Sequence, residues 1–223
     1  MEAGFSHFSD NVTLLGGGEL GAGIVSQMLT LAPILVACDG AARQALALGH
    51  VPRLVVGDMD SLDEATRAAL DPATLIAIAE QETTDFEKAL RHVDAPLILG
   101  VGFMGGRLDH ELACYNALVR HPDKRCILVG GPDICFHAPA RLTLKLAPGT
   151  RVSLFPMAEV SVTATGLVWP LDGLRLAPWG RIGTSNRAAV ERVEVTPDAP
   201  GLLVILPRAA LGAAMAALSS SER

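Results

Sequence analysis

Up to about Gly130 the chain alternates short apolar runs with segments of helical period, and that alternation limits its fold more than any other feature. Val12–Leu15, Ile34–Cys38, Leu54–Val56, Leu75–Ala79, Leu97–Val101 and Ile127–Val129 read as buried strands. Between them the pattern predicts helices near Ile24–Leu31, Ala41–Leu48, Leu62–Leu70, Phe86–His92 and Leu112–Arg120. Two of these starts carry a capping signature, Ser61 with Glu64 and Thr84 with Glu87, and Gly49 stands where a C-terminal glycine cap belongs. Parallel strands need a crossover between them. The order therefore predicts an α/β region, a Rossmann-like, mostly parallel sheet with helices on both faces.

Beyond Gly130 the rhythm changes. Thr143–Leu146, Thr150–Phe155, Val160–Thr165, Leu167–Trp169, Ala189–Val195 and Leu202–Leu206 look like strands broken by Pro and Gly. Such short strands at roughly 8–12-residue spacing predict an antiparallel β-sandwich. Ala209–Leu218 could close the chain as an apolar helix. No internal repeat or low-complexity linker separates the two regions.

The 223 residues suffice for one large domain or two small ones. Half of them are hydrophobic but only 4% are aromatic, so the core must be rich in Ala, Leu and Val. A net charge of −6 disfavours nucleic acid as a partner, since phosphate backbones call for a concentrated Lys/Arg face. No apolar run approaches the ~18 residues of a membrane helix, which predicts no membrane association. Met1-Glu2-Ala3-Gly4 lacks the basic start of a signal peptide. Cys38, Cys114, Cys126 and Cys135 form no close-spaced pair, and a reducing cytoplasm suits them.

Acidic residues mark the strand-to-helix junctions: Asp39, the Asp58-x-Asp60 doublet, Asp85 and Asp109. Each alone is equally an N-cap or first-turn aspartate. Together they would repel one another unless a cation sits among them, and Mg²⁺ bound through carboxylates and substrate phosphates answers that need. Ligands in open α/β sheets bind beyond the carboxyl ends of the strands, where these residues fall. Gly16-x-Gly18-x-x-Gly21 after the first strand also matches the dinucleotide fingerprint, which keeps a dinucleotide-dependent oxidoreductase as an alternative. A non-catalytic nucleotide-sensing module is a third possibility.

Other residues carry two readings each. Arg107 suits a phosphoryl group or a surface ion pair. Lys88, one turn after Asp85, faces either the same cleft or solvent. His110-Glu111-x-x-Cys114 imitates a zinc-protease helix but has Cys where the second His belongs. Thr184-Ser185-Asn186 is a ligand loop or a turn, and Trp169 a stacking platform or a core aromatic.

In combination these segments resemble the thiamine pyrophosphokinase family. The resemblance is carried by Cys38-Asp39-Gly40-Ala41-Ala42, Pro52, Val56-Gly57-Asp58-Met59-Asp60-Ser61, Gln81 with Thr84-Asp85-Phe86-x-Lys88-Ala89-Leu90, Gly105-Gly106-Arg107-Leu108-Asp109-His110, and Thr184-Ser185-Asn186. It implies an α/β ATP-binding catalytic domain over residues 1–135 and a thiamine-binding β-sandwich over 136–223. It also implies a cytoplasmic homodimer with active sites between subunits, ATP and thiamine as substrates, and Mg²⁺ as cofactor. Asp58, Asp60, Asp85 and Asp109 would serve the metal and, with Arg107, catalysis. Gly17, Asp39, Gly40, Gln81, Lys88 and Gly106 would line the nucleotide region, and Trp169, Thr184, Ser185 and Asn186 would lie near thiamine. Ala41 departs from the family's usual glycine, and the helical tail after Pro207 is not among the segments that carry the resemblance.

Overall fold

The structure is a computed structural model that describes residues 6–21 and 23–221; the Met1-Glu2-Ala3-Gly4 segment lies outside them. It divides into two compact units. The first runs to Ala117 and includes Leu128–Gly130, and the second takes Leu118–Ile127 and everything described from Gly131 onward.

In chain order the first unit contains β1 (Ser6–His7), β2 (Val12–Leu15), α1 (Ile24–Leu29), β3 (Ile34–Cys38), α2 (Ala41–Ala47), β4 (Leu54–Gly57), α3 (Glu64–Ala68) and β5 (Leu75–Ala77). It continues with α4 (Asp85–His92), β6 (Val93–Asp94), β7 (Ile98–Val101), α5 (Leu108–Arg120) and β8 (Cys126–Val129), the last two reaching the unit boundary. Strand order is β8-β7-β2-β3-β4-β5, and each pairing from β7 through β5 is parallel. Every residue of β2, β4 and β7 is buried, as strands covered on both faces require. Thr13, the polar residue inside β2, satisfies its hydroxyl on the carbonyl of Ala32 at 2.7 Å.

The second unit contains β9 (Asp133–His137), β10 (Leu142–Lys145), β11 (Arg151–Pro156), β12 (Val160–Thr165), β13 (Leu171–Leu176), β14 (Gly183–Arg187), β15 (Arg192–Pro197), β16 (Leu202–Pro207) and α6 (Leu211–Ser220). Its strands form two antiparallel sets, β14-β11-β16-β9 and β10-β15-β12-β13. Burial alternates along β12 and β15, with Val160, Val162, Val193 and Val195 inward, which is the signature of a sheet with one wet face. The α/β region and the antiparallel sandwich are both present. The C-terminal helix is present too, with Leu211, Ala214, Ala217 and Leu218 buried.

Several local expectations change. Ser61 does not cap α3: Asp63 does, its carboxylate accepting the Thr66 N–H at 2.7 Å, while Ser61 bonds to other carboxylates. Thr84 does cap α4, through the Glu87 N–H. Leu167–Trp169 is no strand, since only Leu167 bridges, to Ala188. The strand expected from Ala189 begins at Arg192, because Ala189 and Val190 turn back onto the carbonyl of Gly166. Strands β13 and β14 escape a hydrophobicity reading because most of their residues are exposed.

One buried polar group of the second unit gives a pH response. His137 Nε2 accepts the Gly201 N–H at 3.1 Å, so the ring is neutral there, and burial pushes the imidazole down to about 4. A depressed folded value means that the unfolded chain takes the proton first. The neutral ring's contribution is complete above the unfolded value of 6.5 and is lost as pH falls toward about 4. That loss amounts to about 3 kcal/mol at most. Chemical denaturation across this range should show a steeper fall for the wild type than for His137→Gln, which keeps an acceptor but cannot titrate. Parallel curves would remove His137 as the origin.

Candidate active site

Strand β2 lies between β3 and β7, and the chain builds outward from it on both sides. The chain order therefore reverses between β2 and β7, the arrangement that opens a crevice at the carboxyl ends of the strands of a doubly wound sheet. A cavity of about 940 Å³ occupies that place. Its walls are Gly16–Leu20 after β2, Asp39 and Gly40 after β3, Asp58 and Ser61 after β4, Gln81 and Thr83–Phe86 entering α4, and Gly105–Arg107 after β7.

Packing explains part of the glycine-rich loop. A Cβ on Gly16 would come 2.7 Å from the Gly102 carbonyl oxygen and one on Gly18 2.6 Å from it, whereas Gly17 has open space around it. Two glycines of the apparent dinucleotide fingerprint are thus needed for close approach to the neighbouring loop, whereas Gly17 between them lines the cavity without that constraint.

The acidic doublet is built by a second close approach. Asp39, 3% exposed, follows β3 and lies beside Gly57, where a Cβ would come 2.7 Å from its own Cβ. Asp39 and Met59 both take left-handed backbone, at φ 37° and 67°, a conformation that costs energy outside glycine and clusters at functional sites. The turn at Met59 lets the Asp60 N–H donate to Asp58 Oδ1 at 3.3 Å, and Arg67 holds the Met59 carbonyl at 2.9 Å. Oxygens of Asp39, Asp58 and Asp60 come within 4.8 Å of one another. Ser61 donates its N–H to Asp39 Oδ2, while Asp39 Oδ1 is buried and accepts no hydrogen bond. Burial pushes the Asp39 carboxyl up, and hydrogen bonds from Asp60 and Gln81 pull Asp58 down.

Behind this cluster sits Lys88, 2% exposed, whose ammonium is 3.4 Å from Asp85 and 3.6 Å from Asp58. Gln81 donates to Asp58 at 3.0 Å. The Asp85 carboxyl is raised by burial, which Lys88 opposes without cancelling. The loop that brings these groups in is fastened by Glu80, which accepts the N–H of Glu82 at 2.7 Å and of Thr83 at 3.1 Å.

The sequence-derived residues therefore divide. Gly17, Asp39, Gly40, Asp58, Gln81, Asp85, Lys88, Gly106 and Arg107 line the cavity. Asp60 joins the carboxylate cluster beside it. Asp109 does neither; its exposed carboxylate is held by Arg107 at 2.7 Å, which pulls it down to about 2. Ser61, the last residue of the acidic-doublet motif, lines the cavity too, and Arg43, Gln44, Thr83 and Phe103 do so without a motif to announce them.

In the second unit Asn186 clamps the backbone of Trp169, accepting its N–H at 3.2 Å and donating to its carbonyl at 2.6 Å. Trp169 is half exposed, and the Arg187 guanidinium lies 5.4 Å from its ring centroid. Ser185 takes left-handed backbone at φ 63°, with its N–H on Ser153 Oγ, and Thr184 is exposed.

The three clustered carboxylates form the all-oxygen donor set that hard cations take, and the unpartnered Asp39 oxygen leaves one acceptor to be satisfied. The residues present therefore fit Mg²⁺.

Comparison with known proteins points to one family. A family model described as "Thiamin pyrophosphokinase, catalytic domain" matches residues 25–129, and one described as "Thiamin pyrophosphokinase, vitamin B1 binding domain" matches 140–202. The chain is 30% identical to thiamine pyrophosphokinase 1 of Oryza sativa subsp. japonica over 67% of its own length and 64% of that protein's. It is 28% identical to thiamine pyrophosphokinase 1 of Arabidopsis thaliana over 70% of its length and 66% of the other. It thus spans slightly under two thirds of these curated relatives. The thiamin pyrophosphokinase structure from Geobacillus thermodenitrificans superposes with a TM-score of 0.71 at 24% identity, covering 88% of this chain and 96% of that one. The Candida albicans structure gives 0.71 at 16%, covering 91% and 93%. At these identities the structural likeness concerns the fold.

The Asp39 carboxylate should trade stability for ligand binding. Because its folded value is raised, it opposes folding at neutral pH, and the opposition vanishes as pH falls below the unfolded value. Asp39→Asn keeps an acceptor for Ser61 and tolerates left-handed backbone. In metal-free buffer at pH 7 it should melt above the wild type. Mg²⁺ should raise the wild-type melting temperature and leave the variant's unchanged. A variant that melts lower and still responds to Mg²⁺ contradicts both parts.

Proposed function

This chain belongs to the thiamin pyrophosphokinase family, and we propose that it transfers the pyrophosphoryl group of ATP to the hydroxyl of thiamine, giving thiamine diphosphate and AMP. The observation that carries this reading is the carboxylate cluster of Asp39, Asp58 and Asp60 at the switch-point cavity, with Lys88 buried behind it. In this reading the thiamine hydroxyl oxygen forms a bond to the β-phosphorus as the bond from that phosphorus to the AMP oxygen breaks, and AMP leaves with the electron pair. The reaction demands alignment and charge neutralisation more than covalent chemistry. Mg²⁺, held by Asp58 and Asp60 with Asp39, would neutralise phosphate oxygens. Lys88 fixes Asp58 and Asp85 and adds positive charge, and Arg107 offers a forked donor to phosphate. Asp85 is a better proton acceptor for the hydroxyl than Asp58, because burial raises the one and hydrogen bonds lower the other.

The dinucleotide alternative loses its main support once Gly16 and Gly18 are accounted for by packing on Gly102. A merely nucleotide-sensing module would have no use for three carboxylates whose mutual repulsion has to be offset.

Purified protein given ATP, thiamine and Mg²⁺ should form AMP and thiamine diphosphate, and should stop when Mg²⁺ is chelated. Asp58→Asn and Asp60→Asn should each lower turnover at least ~100-fold with the fold intact, since charge placement is the largest contribution at such sites. Near-normal turnover in both variants at saturating Mg²⁺ would refute the metal assignment.

We further propose a cytoplasmic homodimer in which the β-domain residues of one subunit, Trp169, Thr184, Ser185 and Asn186, receive thiamine at a cleft begun by the other. The half-exposed indole that Asn186 holds in place supports a stacking role. An indole contact with the thiazolium is worth roughly 0.5–2 kcal/mol, so Trp169→Ala should raise the thiamine KM several-fold to about 30-fold and leave the ATP KM nearly unchanged. Mixing that variant with Asp60→Asn protein should recover activity at low thiamine, because a mixed dimer contains one intact site. A fully active monomer rules the arrangement out.

A further inference from the structure

The segment His110-Glu111-x-x-Cys114 has Cys where the zinc-protease helix has its second His, and Glu111 within it occupies a defined position. It lies in the first turn of α5, and its side chain reaches back over the start of that helix. Glu111 Oε2 accepts the Gly105 N–H at 2.9 Å, and Oε1 accepts the Tyr115 hydroxyl at 2.6 Å. Tyr115 is one turn further along the same helix, so the carboxylate is held from both sides. Its neighbours His110 and Cys114 line the cavity, whereas Glu111 does not.

What Glu111 fastens is a loop with little else to fix it. Gly105 and Gly106 take φ values of 84° and 83°, and a Cβ on either would meet nothing within 4 Å. Two adjacent glycines without lateral packing have the largest conformational freedom a chain can have. Arg107 follows at once, exposed at the cavity edge and turned onto Asp109. A carboxylate oriented by a second hydrogen bond is a stronger acceptor for a backbone N–H than a neutral side chain would be.

We propose that Glu111, oriented by Tyr115, is a positioning residue that fixes the Gly105-Gly106-Arg107 loop at the rim of the cavity for contact with nucleotide phosphate. The proposal rests on the nucleotide-binding part of the reading above. Glu111 touches no substrate; it limits the arrangements from which the loop must be ordered when ATP binds.

The test uses the full chain and four variants: Glu111→Ala, Glu111→Gln, Tyr115→Phe and the Glu111→Ala/Tyr115→Phe double. Amide exchange at Gly105, read on the protein alone, should accelerate about tenfold or more in Glu111→Ala and little in Glu111→Gln, which keeps an acceptor. Calorimetric ATP binding with Mg²⁺ should weaken about tenfold in Glu111→Ala, about threefold in Tyr115→Phe, and no further in the double than in Glu111→Ala. A purely structural role would lower the melting temperature and leave ATP affinity where it was. Unchanged Gly105 exchange in Glu111→Ala would overturn the tether. Faster exchange with unaltered ATP affinity would overturn the positioning role. Failure of the wild type to bind ATP would overturn the nucleotide reading and this role with it, and Gly105 exchange would still report separately on the tether.

Discussion

An ammonium group taken out of water must be surrounded by counter-charge, and Lys88 is almost completely buried. Its partners are Asp58 at the end of β4 and Asp85 at the start of α4. Neither carboxylate would be comfortable alone, because Asp85 is desolvated and Asp58 belongs to a like-charged cluster. The three groups stabilise one another only when strand, loop and helix are all in place. Thr84 caps the helix so that Asp85 and Lys88 project one turn apart, Glu80 fastens the loop before it, and Gln81 from that loop donates to Asp58. Losing both carboxylates would leave the buried ammonium without compensation, a loss far larger than that of a surface pair.

The same cluster depends on how closely adjacent strands end. Asp39 fits beside β4 because residue 57 has no side chain, and the chain turns after Asp58 because Met59 accepts left-handed backbone. Strained backbone persists where surrounding contacts over-determine it. Here Arg67 grips the Met59 carbonyl and Ser61 grips Asp39. The parallel sheet supplies rigid strand ends, and local strain re-aims the acidic side chains at a shared point.

Much of this was legible in the sequence, for identifiable reasons. Fully apolar runs such as Ile34–Cys38 and Leu54–Val56 admit few states other than buried strand, and the helices between them follow from the parallel crossovers. Asp39, Asp58, Asp60 and Lys88 stand where motif spacing put them. What sequence could not supply was direction. Nothing in the spacing says that Asp109 turns to Arg107, or that Gly16 and Gly18 are occupied by packing on Gly102. Ser61 looked like a helix cap because Glu64 follows at the right distance, yet two nearby carboxylates compete for its donors. Strands β13 and β14 were hidden because their faces are mostly exposed, so period and hydrophobicity carry no signal there.

The charges of the cleft are compensated in three different ways, and the differences bear on what each group can do. The Lys88 ammonium that contacts Asp58 and Asp85 is buried, so losing those partners would strand its charge away from water. Arg107 and Asp109 are both well exposed, and an exposed pair holds its members loosely in solvent. Arg107 can therefore leave Asp109 for a competing phosphate at small cost, while Lys88 has no such freedom. The Asp39–Asp58–Asp60 group is compensated least completely: Lys88 reaches only Asp58, and one oxygen of Asp39 has no donor at all. The three carboxylates, with one buried ammonium within reach of one of them, leave a deficit of positive charge beside the cavity. A small divalent cation would meet that deficit, with Asp39, Asp58 and Asp60 as the residues that would hold it.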